Sequence, residues 1–231
     1  MKMRFLRSLI FMAIPVMMLF LIQCSGISKQ KAVEANQKYL EIALAFNTKS
    51  YPWMLGTKYP QLAVWAESED GRHETVFVTQ GAGKDKWMFA DERPGALPVW
   101  TGTRPEKRSP DIDAVTGATP SGEVHTITWK IPEKYAGKNM KVFIEANVSF
   151  DYNNFYSKEK SSSGFSDVNG QPSIVWRSVF HIDDIPKKLT PEIVGHGHVL
   201  GKNSAVDSDM SGITTAIQLF NYINISYYPG K

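Results

Sequence analysis

The chain has 231 residues, 42% of them hydrophobic and 21% charged, with a formal charge of +3; it is long enough to bury a core and too apolar to be disordered. A single cysteine excludes a disulfide framework, a thiol-rich zinc site and an iron–sulfur cluster. Three of the 26 basic residues, Lys2, Arg4 and Arg7, precede Cys24, which leaves 23 against 23 acidic ones, so the remainder has no basic bias toward nucleic acid.

In chain order, residues 1–23 read as a signal peptide. The three basic residues are followed by an apolar run, Leu9–Ile22, of 14 residues, shorter than the about 20 that a spanning helix needs and suited to the apolar region of a secretory signal. The run ends Leu21-Ile22-Gln23-Cys24-Ser25-Gly26. This resembles a bacterial lipoprotein signal, with Gln23 where a small residue is usual. The resemblance implies that Cys24 carries a lipid, that the protein is exported and anchored to a membrane as a periplasmic or outer-membrane-associated lipoprotein, and that no thiol is left for catalysis. Residues 24–37 then serve as a tether, and 38–231 as a single domain.

Strand signals fill that domain. Tyr39–Phe46 alternates, with Leu40, Ile42, Leu44 and Phe46 on one face. Leu62–Glu67 and Thr75–Thr79 flank the turn signal Glu69-Asp70-Gly71. Val124–Lys130 sets Val124, Thr126 and Thr128 opposite His125, Ile127 and Trp129. Val142–Phe150, Ser173–Ile182, Glu192–Leu200 and Ile217–Tyr227 complete the series, and only Ile213–Phe220 offers a short helical turn. With no long 3.6-residue period, the pattern predicts an all-β, immunoglobulin-like two-sheet β-sandwich with long irregular loops. Lys84–Pro110, rich in proline and aromatic residues, reads as a packed loop; Ser157–Gly170, rich in serine and glycine, reads as a mobile one. The six tryptophans are expected in the core and between the sheets.

The most specific local string is Asp113-Ala114-Val115-Thr116-Gly117-Ala118-Thr119-Pro120. As residues alone it is a hydroxyl-bearing loop, and an Asx- or ST-type turn accounts for it as well as a site does. Its Asp113, Thr116, Gly117, Ala118 and Thr119 resemble the acceptor motif of covalently flavinylated extracytoplasmic proteins. That resemblance implies FMN attached through its phosphate to Thr119 by a flavin transferase, with Asp113 helping recognition and Gly117 and Ala118 leaving room for the phosphate. In a wider frame, Tyr59–Trp65, Ala96–Trp100, the Asp113–Pro120 loop, Gly170–Ser173 and Gly212–Ala216 follow one another in an order that resembles the exported domain of unknown function family 2271. This implies an extracytoplasmic β-rich domain associated with membrane redox proteins, and supplies no catalytic residue.

Gly195-His196-Gly197-His198 sets two imidazoles at i and i+2, which on a strand share a face and serve one metal if Asp207, Asp209, His125 or His181 adds a third ligand; two solvated histidines are the plainer alternative. Asp207–Gly212 copies the start of a calcium loop, but Gln218 replaces the bidentate glutamate at its twelfth place, so Asp209 or Ser211 is expected instead to cap the short helix beginning at Ile213. There is no nucleophile elbow, zincin helix or phosphate loop. The sequence therefore points to a non-catalytic binding, carrier or accessory lipoprotein, with FMN on Thr119. The alternatives are a cofactor-free envelope interaction protein and a metal-binding module built on His196 and His198.

Overall fold

Alternation of apolar side chains organises the first strand, β1 (Tyr39–Phe46), whose Leu40, Ile42 and Leu44 are wholly buried while the intervening residues face outward. The computed structural model describes residues 36–50, 52–53, 56–57, 59–83, 94–103, 116–117, 123–183 and 185–230. After the short pair β2 (Pro52–Trp53) and β3 (Gly56–Thr57) come β4 (Gln61–Ser68) and β5 (His73–Thr79), and the single turn α1 (Gln80–Gly83). A second short helix, α2 (Pro98–Thr103), is followed by β6 (Thr116–Gly117), β7 (Val124–Lys130), β8 (Asn139–Asn147), β9 (Ile174–His181), β10 (Lys187–Leu189), β11 (Glu192–His196) and β12 (Phe220–Tyr228). Among the described residues no helix is long and apolar enough to cross a membrane.

The strands form a two-sheet β-sandwich. One sheet has the order β10-β12-β1-β7 and the other β11-β9-β8-β4-β5-β6. In the first, β1 lies antiparallel between β12 and β7, so that Ile42 is aligned with Ile225 on one side and Ile127 on the other. In the second, Val64 is aligned with Ile144, and Ile144 with Trp176. The side chains facing inward from both sheets, among them Ile42, Ile225, Val64, Ile144 and Trp176, make one continuous core. Burying such rows is the dominant favourable term in holding two sheets together.

A second, smaller apolar cluster lies on the other face of the larger sheet. Ala63, Trp65, Val78 and Val175 meet Leu97, Val99 and Trp100 from the α2 segment. Strand β4 is thus buried on both faces, which is why Leu62-Ala63-Val64-Trp65-Ala66 reads as an unbroken apolar run. The packed-loop expectation for Lys84–Pro110 holds for 94–103, the portion described. Trp65, Trp100, Trp129 and Trp176 are all buried; the side chains of Trp53 and Trp87 lie outside the described residues.

Several expectations shift. Strand β8 starts three residues earlier than expected, because Asn139 and Lys141 continue its outward-facing polar row. Strand β11 stops at His196 rather than Leu200, and a 3₁₀ turn at Thr215–Gln218 delays β12 to Phe220. The Ser157–Gly170 loop, expected to be mobile, is closed by its own hydrogen bonds. Ser157 N donates to Gly164 O at 2.8 Å and Ser166 N to Ser157 O at 2.9 Å, and Ser166 is fully buried.

Candidate functional site

Two residues of the flavin-acceptor-like loop fall within the described structure. Thr116 and Gly117 form β6, which runs parallel to the end of β5 and pairs Val78 with Thr116 and Thr79 with Gly117. Close backbone approach explains the glycines. A Cβ on Gly117 would lie 2.4 Å from the Phe77 ring, and one on Gly83 would lie 2.6 Å from Thr116 Oγ1. The space beside Gly117, expected to be open to a phosphate, is on that side filled by Phe77. The Phe77 ring in turn lies 4.9 Å from the His125 ring. Among the described residues the buried His125 Nε2 finds no hydrogen-bond partner, and burial lowers the imidazole pKa from its ordinary value. Asp113, Ala118, Thr119 and Cys24 lie outside the described residues.

The two histidines of Gly195–His198 do not share a strand face. The register of β11 shifts between Ile193 and Gly195. Gly195 has φ +145°, and a Cβ there would lie 2.1 Å from Asp207 O. That close approach lets His196 and Asp207 exchange both backbone hydrogen bonds, each 2.8 Å long. The buried His196 ring then sets Nδ1 2.9 Å from Gly197 O and Nε2 3.0 Å from Asp209 O, so each nitrogen faces a carbonyl. His198 lies past the strand end in a turn closed by Gly201 N donating to His198 O, and its Nδ1 accepts from Leu200 N at 3.1 Å. His125 belongs to the opposite sheet, and His181 Nδ1 faces Asn139 Oδ1 at 3.2 Å. Among the described residues no group of three or more His, Cys, Asp or Glu is arranged to hold a metal ion.

The calcium-like string is a run of Asx turns. Asp207 Oδ1 accepts from Asp209 N at 2.9 Å, and Asp209 Oδ1 from Ser211 N at 3.0 Å. Hydrogen bonds from the Ser211 backbone and side chain hold the Asp209 carboxyl below the usual range. Neither residue caps a helix. The 3₁₀ turn begins later, and Thr214 N before it donates to Gln171 Oε1 at 2.7 Å. Beside this string lies a cleft of about 450 Å³ lined by residues that include Tyr156, both histidines, Asn203, Asp207 and Ser208. Burial and the Asp207 and Asp209 carboxylates push the Tyr156 phenol up.

Glu145 is the buried site that sequence reasoning missed. It sits on β8 with no exposed surface, under the start of α2. Its Oε1 accepts from Ser173 Oγ at 2.6 Å and Val99 N at 3.2 Å, and its Oε2 from Trp100 N at 2.7 Å. The carboxylate thus satisfies two amides at the start of α2 that have no partner within the helix. Burial pushes its pKa up to about 7 against the opposing pull of these three bonds. Gly197 N donates to Ser173 O at 2.9 Å, and a Cβ on Gly197 would lie 2.6 Å from Ser173 Oγ, so the node extends to the residue between the two histidines. The available signal was a lone acid amid Phe143, Ile144, Ala146 and Val148.

No family model matches the chain, and neither a curated protein nor a solved structure does. Ser173 donates to Glu145, but both are wholly buried, so the hydroxyl is not presented to a substrate, and His196 faces two carbonyls in place of a nucleophile. What the described residues offer is a polar cleft beside β11 and the paired Thr116–Gly117 edge at β6.

Proposed function

We propose that the protein is an exported, lipid-anchored β-sandwich that works as a binding and carrier module of an extracytoplasmic redox system, with FMN held covalently on Thr119. The observation that carries this reading is the placement of Thr116–Gly117 as the edge strand of the larger sheet. It sets Gly117 against the Phe77 ring, which in turn lies 4.9 Å from the ring of His125. An edge position favours a loop that a transferase must reach. Bound there, FMN would supply the electron chemistry, while the protein fixes its position and surroundings.

Co-expression in the periplasm with an active flavin transferase, followed by intact-mass measurement, tests the reading. The expected result is a gain of one FMN less water, with in-gel fluorescence that survives denaturation, and loss of both in Thr119→Ala. An unmodified mass, with the same transferase active on a control acceptor, would overturn it. The packing of Gly117 on Phe77 would then be the loop's whole role, and a cofactor-free interaction protein of the envelope the better description.

A further inference from the structure

The cleft beside β11 plays no part in the flavin reading, yet its chemistry is specific. At about 450 Å³ it falls within the usual size of small-molecule sites, roughly 300–1,000 Å³. None of its described lining residues is lysine or arginine, so nothing there neutralises a phosphate or a carboxylate.

Three of the polar side chains around it use one group in a local hydrogen bond and keep another to offer. His198 Nδ1 accepts from Leu200 N, which in the neutral ring leaves the proton on Nε2 as a donor. Asn203 Oδ1 accepts from Ala205 N at 3.0 Å, leaving its amide hydrogens. Asp207 Oδ1 accepts from Asp209 N, leaving Oδ2 as an acceptor. Ser208 brings a hydroxyl, and Tyr156 a phenol. Next to Tyr156, with ring centroids 5.0 Å apart, Phe155 is 61% exposed.

We propose that this cleft binds a neutral polyhydroxylated ligand, a hexose or a short glycan, through Asp207, Asn203, His198 and Ser208. The mixture selects the class. An ammonium ion would face the His198 and Asn203 donors, and a divalent cation would find one free carboxylate oxygen where it needs six or more oxygens. Sugar hydroxyls both donate and accept, so one can donate to Asp207 while its neighbours accept from the amide and the imidazole. The Tyr156 ring, part of the lining, offers an aromatic surface to the C–H side of a sugar.

The test uses full-length protein carrying isotope-labelled histidine, whose five imidazoles give separate NMR signals. Glucose, cellobiose, ethanolamine and inorganic phosphate are titrated in separate runs. The expected result is a saturable shift of His196 and His198 with at least one of the two sugars, with His73, His125 and His181 unmoved and no response to ethanolamine or phosphate. Asp207→Asn keeps the acceptor for Asp209 N but removes the charge, and weakens sugar binding about tenfold or more. Ser208→Ala, at an exposed position, weakens it severalfold, and the three remote histidines report that each variant is folded. Absence of any sugar-dependent shift at roughly 50 mM, well beyond the millimolar range of weak sites, would overturn the proposal. So would binding unchanged in both variants, or a response to phosphate or ethanolamine in place of sugar. The flavin reading stands or falls separately, on mass.

Discussion

Three donors surround the Glu145 carboxylate, yet its pKa is raised to about 7 because desolvation outweighs them. The sign of the pH dependence follows. The folded chain holds a proton that the unfolded chain, with the ordinary value of 4.5, releases more readily. This contribution to stability is complete below pH 4.5 and is lost as pH rises through 7, to a total of about 3 kcal/mol. Urea unfolding of the wild type at pH 5 and pH 8 should show that loss, and Glu145→Gln should remove this component of the slope. A variant retaining the full slope would place the titration elsewhere. Little of the residue was legible in the sequence. In a strand, a glutamate among apolar neighbours marks the solvent side, and nothing in Val142–Phe150 reveals that α2, almost fifty residues earlier, lies over that side and turns two backbone amides toward it. The histidines at 196 and 198 were conspicuous for the opposite reason: residue type is visible, whereas the carbonyls that His196 faces come from Gly197 and Asp209 only once the chain has turned.

The elements with strict alternation were the readable ones. Tyr39–Phe46 and Val124–Lys130 form strands with the expected boundaries, because each has one apolar and one polar face and a one-residue slip would bury the wrong row. The two-residue β6 and the three-residue β10 are too short to show a period, and they exist through their partners, β5 and β12. Strand β11 is shorter than its sequence pattern suggests for a local reason. Alternation continues past Gly195, but the backbone there takes φ +145° and presses on Asp207, and the strand ends one residue later. Gly195→Ala should therefore act on an element rather than on one contact. Its Cβ would meet Asp207 O at 2.1 Å, and the strained backbone with the broken His196–Asp207 pairing should cost about 2–4 kcal/mol. Thermal unfolding measures the total. Faster hydrogen exchange at the His196 and Asp207 amides, with β4 and β8 unchanged, would show that the loss is centred on β11; uniform acceleration would contradict this.

At the scale of the molecule, the sandwich was legible because eight short strands without a helical period leave few other ways to bury so much apolar surface. Strand order was not, since pairing between distant segments leaves no local trace. The order matters most at one place: β1 pairs along its whole length with β12, Tyr39 opposite Tyr228 and Phe46 opposite Phe220, and the two end tyrosines stack with ring centroids 4.6 Å apart. A chain ending at Leu219 would lose Ile225 and Tyr227 from the core, and β10 would lose its neighbour in the sheet. Such a truncation should abolish the cooperative unfolding transition, and a sharp transition in the shortened chain would show that β12 is dispensable. The same pairing has a consequence in time. During synthesis β1 emerges well before its partner, with most of the described sandwich between them, so the smaller sheet cannot close until β12 has appeared. Contacts so distant along the chain make folding slow and late. A polypeptide that postpones its own closure in this way stays threadable until β12 has been made, and the moment of folding is set by the arrival of that strand.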